Sequence, residues 1–176
     1  MRFKLILLVF TLNSIFANSQ QKNDSISIYK KLEQVNVEAL RAKKESPISF
    51  SEIKKKDIEK LNLGQDLPYI ISMTPSVVTT SDAGAGIGYT SFRIRGTDPT
   101  RINVTINGIP LNDSESQGVW WVNMPDFSSS VENIQIQRGV GSSTNGSSAF
   151  GASINLKTNN ITYNPYAKTS NMIGSY

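Results

Sequence analysis

The 176-residue chain contains no cysteine and no histidine. The first absence excludes disulfides and thiolate metal sites; the second removes the commonest metal ligand and the commonest general base. Serines are many, but a serine nucleophile needs an activating base and no Ser-Lys pair stands out, so the composition argues against an enzyme. No compact acidic cluster offers an oxygen cage for a metal ion, and neither a metal site nor a cofactor is expected. Lysine is missing from residues 61 to 156, where the only basic side chains are Arg93, Arg95, Arg101 and Arg138. A merely solubilising surface mixes both cations, so these four guanidinium groups read as placed, bidentate donors.

The net charge of +4 conceals an uneven distribution. Nine of the eighteen basic residues lie between Lys30 and Lys60, whereas residues 61 to 156 hold four arginines against seven acids. The basic stretch carries little aromatic content beyond Tyr29 and Phe50, so it lacks the interleaved pattern of a nucleic-acid surface.

Arg2 and Lys4 precede a short apolar run over residues 5–12, and Ala17-Asn18-Ser19 places small residues at the cleavage-determining positions. This reads as a signal peptide, residues 1–19, cut before Gln20. The run is well short of the ~20 residues that a spanning helix needs, and no later stretch supplies one. Residues 20–45 form a polar N-terminal segment. Within it Leu32, Glu33, Gln34, Val35, Asn36, Val37, Glu38 and Ala39 alternate, with Val35 and Val37 on one side. Such a stretch suits either an edge strand of this domain or a strand added to a partner's sheet.

From Ile48 and Phe50 alternation resumes, and residues 55–61 read as a short helix with Ile58 and Leu61 on one face. Asp66 caps a second helix with Pro68 in its first turn and an apolar stripe of Leu67, Ile70, Ile71 and Met73, ended by Pro75. Residues 76–80 form a β-branched strand. The glycine-rich run 82–88 lacks the third glycine of a dinucleotide loop, lacks a following Lys-Ser/Thr, and opens a strand rather than a helix, so it reads as a mobile loop. Phe92 and Ile94 alternate with Arg93 and Arg95, and Ile102, Val104 and Ile106 with Asn103 and Thr105, the pattern of half-buried strands. Asn107-Gly108 supplies the positive-φ pair of a two-residue hairpin turn. Trp120 and Trp121 sit in a loop where they either pack beneath it or face a ligand or wall. Two closing strands follow, with Ile134 and Ile136 inward on one and Ala152, Ile154 and Leu156 on the other. The expected fold is α+β: a small mixed β-sheet with short helices over residues 46–158, then a linker or first barrel strand over 159–176.

These ordered motifs resemble the plug domain of TonB-dependent outer-membrane receptors over about residues 32–158. Residues 32–39 are similar to the energy-coupling TonB box, Phe92-Arg93-Ile94-Arg95-Gly96 to the Arg-Gly motif, and residues 104–111 to the strand-hairpin motif. Residues 131–139, followed by Gly146, Ala149, Gly151, Ile154 and Asn155, resemble the closing motif. Three positions depart from the pattern: Asn107 and Gln135 replace acids, and Val140 replaces a proline. The large C-terminal β-barrel is missing from the sequence, so the chain looks like an N-terminal fragment or a truncated product.

The resemblance implies a plug in the cell outer membrane, facing the periplasm inside the receptor's own barrel. It gates the barrel, helps bind a chelated nutrient, and couples through residues 32–39 to TonB with its ExbB/ExbD energy supply. A ferric chelate is the leading substrate, with cobalamin or oligosaccharide behind it. Arg93, Arg95, Arg101, Glu132 and Arg138 are then barrel-contact residues, and Arg95, Thr97, Asp98, Asn112, Asp113, Trp120 and Trp121 ligand-facing ones. The competing class is a periplasmic binding module that works without a barrel.

Overall fold

Alternation along the chain becomes a two-faced sheet in a computed structural model that describes residues 41–140, 149–162, 164–169 and 171. The expected signal peptide, residues 32–39 and most of residues 141–151 lie outside the described residues, as does part of 159–176. Strand β1 (Phe50–Lys54) leads directly into helix α1 (Lys55–Leu61), and helix α2 (Leu67–Ile70) precedes β2 (Val77–Ser81) and β3 (Thr90–Ile94). Strands β4 (Ile102–Ile106), β5 (Ile109–Pro110), β6 (Val131–Arg138) and β7 (Ala152–Thr158) follow, with one 3-10 turn before β4 and two between β5 and β6. The main sheet has the order β1-β6-β7-β4-β5, and β2-β3 forms a separate antiparallel pair. All neighbours are antiparallel except β4 and β7, which makes the sheet mixed.

Register explains the core. Paired residues share a face, so Ile53, Ile134, Leu156 and Ile106 form one cross-strand row, and Ile136, Ile154 and Val104 the next. This apolar face is covered by Ile58, Leu67, Ile70, Ile71, Phe92, Ile94 and Trp121. Burying such a side chain contributes about 1.5–3 kcal/mol, so this layer dominates the stability of the domain.

The opposite face departs from the expectation of half-buried strands. Gln135, Asn155 and Thr105 form a cross-strand row, as do Gln137, Ser153 and Asn103, and all six are buried. Period-2 alternation separates the two faces correctly but says nothing about solvent, and β4, β6 and β7 are interior strands. Buried polar groups are generally paired, and Thr105 Oγ1 donates to Asn155 Oδ1 at 2.7 Å, although Ser153 Oγ has no partner among the described residues.

The second helix also differs from its reading. Asp66 stands at the N-cap position, yet its carboxylate makes no cap bond. It accepts instead from Thr90 Oγ1 at 2.8 Å, while the Asp66 N–H donates to Gly86 O at 2.9 Å, which ties the glycine-rich loop to the helix entrance. The helix is one turn long, and Met73 lies beyond it, 81% exposed, outside the apolar stripe. Leu61 is likewise exposed, whereas Ile58 carries the buried face of α1.

Candidate functional site

Strand directions bring four chain segments to one end of the main sheet. β6 ends at Arg138, which pairs with Ala152 at the start of β7, and Ala152 pairs with Ile102 at the start of β4. The Gly139 N–H donates to Gly151 O at 2.9 Å, and the Gly151 N–H donates to Arg101 O at 2.8 Å. β3 ends at Ile94 rather than running on through Arg95, because Arg95 turns into the left-handed region at φ 51°. That turn carries the Arg95 guanidinium toward Gly139, where a Cβ would stand 3.5 Å from its Nη1. Arg95, Arg101 and Arg138 therefore gather at a single sheet end.

Their partners are neutral. Arg138 Nη2 donates to Ser49 Oγ at 2.9 Å and its Nη1 to Pro75 O at 3.4 Å, while its Nε is buried with no acceptor. Arg101 lies over the Phe150 ring, 6.0 Å from the centroid. Among the described residues no Asp or Glu forms an ion pair with Arg95, Arg101 or Arg138. Arg93, on the exposed face of β3, stands 4.0 Å from Asp98, at the limit of an ion pair. Glu132 lies at the far end of β6 beside a register shift, with one buried carboxylate oxygen unpartnered. It does not join the arginines.

The loop after β5 is held by its own polar residues. Asn112 acts as an additional strand residue: its Oδ1 accepts from the Val104 N–H at 2.8 Å, and its Nδ2 donates to Ile102 O at 2.9 Å and Gln117 O at 2.8 Å. Asp113 accepts from the Ser116 and Glu115 N–H groups. The Ser116 bonds, with the Glu115 N–H behind them, hold the Asp113 carboxyl below its ordinary value. Asp98 accepts from the Thr100 N–H and hydroxyl, which lower its pKa, helped by Arg93 and Arg101. Thr97 Oγ1 donates to Ile94 O at 2.5 Å.

The two tryptophans separate. Trp121 is 3% exposed and meets Phe92 with ring centroids 5.9 Å apart and planes tilted by 48°. The ligand-facing expectation for Trp121 is thus corrected: its ring is a core element closing the apolar layer. Trp120 is 54% exposed. Thr97 and Asn112 are half-buried with their polar atoms committed within the fold, so the exposed members of the expected ligand-facing set are Arg95, Asp98, Asp113 and Trp120.

The profile of the TonB-dependent Receptor Plug Domain matches residues 42–153. The chain belongs to this plug family. The chain is similar to the vitamin B12 transporter BtuB of Vibrio vulnificus, 29% identical over 152 residues, which cover 86% of this chain and 23% of that protein. It is also similar to the probable TonB-dependent siderophore receptor PirA of Acinetobacter baumannii, 28% identical over 75% of this chain and 19% of the relative. The chain thus spans about a quarter or less of the length of these relatives. Among solved structures, a mutant of the ferric enterobactin receptor PfeA from Pseudomonas aeruginosa superposes with a TM-score of 0.51 at 26% identity, over 66% of this chain and 18% of that one.

Within the plug, the Asn107-Gly108 turn has φ values of 52° and 85°, as a two-residue hairpin of the primed type requires. The side chain of Asn107 does further work that spacing alone did not suggest. Its Nδ2 donates to Thr158 Oγ1 at 2.8 Å and its Oδ1 accepts from the Thr158 N–H at 3.0 Å, fastening the hairpin to the end of β7.

Proposed function

We propose that this chain is the plug of an outer-membrane active-transport receptor. It occludes the lumen of the receptor's β-barrel, contributes surface to a binding site for a scarce nutrient, and is displaced by TonB, energised through ExbB/ExbD, acting on residues 32–39. The observation that carries this reading is the arginine cluster. Three guanidinium groups at one sheet end, with no carboxylate at ion-pair distance among the described residues, fit acids on an enclosing wall, each fork able to engage a carboxylate through two charge-assisted bonds. Arg93, on the exposed face of the β2-β3 pair, is placed for the same kind of contact. A polar plug surface also suits a part that must move, since a large apolar interface would release slowly.

The nutrient class favoured is a ferric chelate, following the siderophore receptor among the relatives, with cobalamin as the alternative that the vitamin B12 transporter suggests. The metal arrives chelated, because this chain carries neither histidine nor cysteine to take a bare ion. Trp120 and Arg95 are the plug residues proposed to face it. Export by the N-terminal signal peptide and residence in the outer membrane complete the reading.

The test is made in the intact receptor. Neutralising Arg95 and Arg138 together (R95Q/R138Q) is expected to loosen the plug, read as entry of a large antibiotic through the outer membrane and a fall in uptake of the nutrient. Unchanged permeability and unchanged uptake would refute the locking role. Titration with ferric chelates and with cobalamin, following the fluorescence of Trp120, distinguishes the two nutrient classes.

A further inference from the structure

Where the chain enters the domain, one residue, Ala42, is fastened to the polar face of the sheet by a side chain 93 positions away. The Ala42 N–H donates to Gln135 Oε1 at 2.7 Å, and Gln135 Nε2 donates back to Ala42 O at 3.0 Å. Gln137 Nε2 donates to the same Oε1 at 3.1 Å, while the Ala42 N–H and carbonyl set which end of the Gln135 carboxamide accepts. Beside this pair Arg41 Nη2 donates to Asn133 Oδ1 and lies 3.6 Å from Glu52 Oε1, itself bonded to Asn133 Nδ2 at 2.8 Å.

A carboxamide carries a donor and an acceptor side by side, so it reproduces with one side chain the paired bonds that a strand residue exchanges with its neighbour. A carboxylate at position 135 could accept from Ala42 but could not donate to its carbonyl. Gln135 is buried, and losing Ala42 would take from its Nε2 the Ala42 carbonyl and leave its Oε1 with Gln137 in place of two donors. The fastening is also separate from the sheet ladder. Residues 43–45 are exposed and close on themselves, with the Lys43 N–H on Ser46 Oγ and the Ser46 N–H on Lys43 O. The main chain rejoins the sheet only at Ser49, whose carbonyl accepts from the Arg138 N–H at 2.9 Å.

We propose that Gln135 is a clasp that holds the entry segment at Ala42 to the sheet and controls release of the residues upstream of it. The part of the proposal concerning a coupling partner rests on the function proposed above. Both Ala42 bonds break together when the segment lifts, so the clasp is either closed or open, and opening it leaves β1 paired with β6.

The test uses the full chain, with tryptic cleavage after Lys43 and Lys44 as the readout of segment release and amide exchange of β7 as the readout of the intact sheet. Gln135→Met removes both bonds, and Ala42→Pro removes one while leaving Gln135 in place should the first variant fold poorly. Each is expected to accelerate cleavage by about tenfold, the order expected from losing one or two net hydrogen bonds, with β7 exchange unchanged. Capture by the purified periplasmic domain of TonB is expected to rise in parallel. Unchanged cleavage in both variants overturns the clasp, and faster cleavage without increased capture overturns its control of release. Absence of capture by the parent and every variant would instead refute the coupling function, with cleavage still judging the clasp.

Discussion

Replacing Gly151 with alanine tests the packing that gathers the arginines. The new Cβ would lie 2.7 Å from Thr97 Cβ and 2.9 Å from its Cγ2, and closer still to Oγ1. The Gly151 backbone cannot retreat easily, because its N–H is bonded to Arg101 O and its carbonyl to the Gly139 N–H. Thr97 must therefore move, and with it the bond from its hydroxyl to Ile94 O. Overpacking costs about 1–3 kcal/mol and the lost bond about 1 kcal/mol, so G151A is expected to lower stability by about 2–4 kcal/mol. Denaturant unfolding followed by far-UV circular dichroism measures this as a shift in midpoint at constant slope. Thr97→Gly removes all three clashing atoms and should restore part of the loss in the double variant. Gly118→Ala is the control, since its Cβ would meet nothing closer than 3.8 Å. A G151A cost under about 0.5 kcal/mol, within the range of an unremarkable surface change, would refute the reasoning, as would a double variant no better than the single.

Three further outcomes are expected. Trp121→Ala should cost about 3–5 kcal/mol by opening a cavity beside Phe92, whereas Trp120→Ala should change stability by under about 0.5 kcal/mol and act on nutrient affinity instead; equal stability losses would contradict their separation. Asn112→Ala leaves the Val104 N–H without its acceptor, and a loss of about 1–3 kcal/mol with faster amide exchange over residues 111–118 is expected, an unchanged exchange pattern being the contrary result. The carboxyls of Asp98 and Asp113 are held below their ordinary 3.8 chiefly by backbone bonds from Thr100 and Ser116, so carbon-detected titration should find both midpoints under 3.8. A depressed folded pKa means that the stabilisation is complete above the unfolded value and is lost as pH falls from about 3.8 through the folded midpoints. Midpoints at or above 3.8 would show that the turn bonds are not formed in solution.

Local chemistry was legible in the chain wherever a short-range rule applied. Asn107-Gly108 announces its turn because only residues tolerant of positive φ fit there. The run from Lys55 to Leu61 announces a helix, and the alternating residues around Ile134 and Ile154 announce strands whose faces are assigned correctly. The family was legible too, through motifs in their order. Less visible was the competition among side chains for distant partners. Asp66 looks like a helix cap, yet Thr90, twenty-four positions away, takes its carboxylate. Asn112, Asp113 and Thr97 look like polar groups offered to a ligand, but each is spent on a backbone bond that exists only once the turn has formed.

The sheet makes the same division. Alternation established that Gln135, Gln137, Ser153 and Asn155 point away from the isoleucines, because side chains of an extended chain must alternate. That these polar residues are nonetheless buried is a property of the folded chain, because alternation assigns a residue to a face and does not say whether that face is covered. The arginines divide in the same way. Their scarcity and the absence of lysine around them could be read from composition, but their meeting at one end depends on where β3, β4 and β6 start and stop. Order along a chain carries dihedral preference and hydrophobic period; which distant groups become neighbours, and so which polar atoms remain available, follows only from the packing of the whole fold.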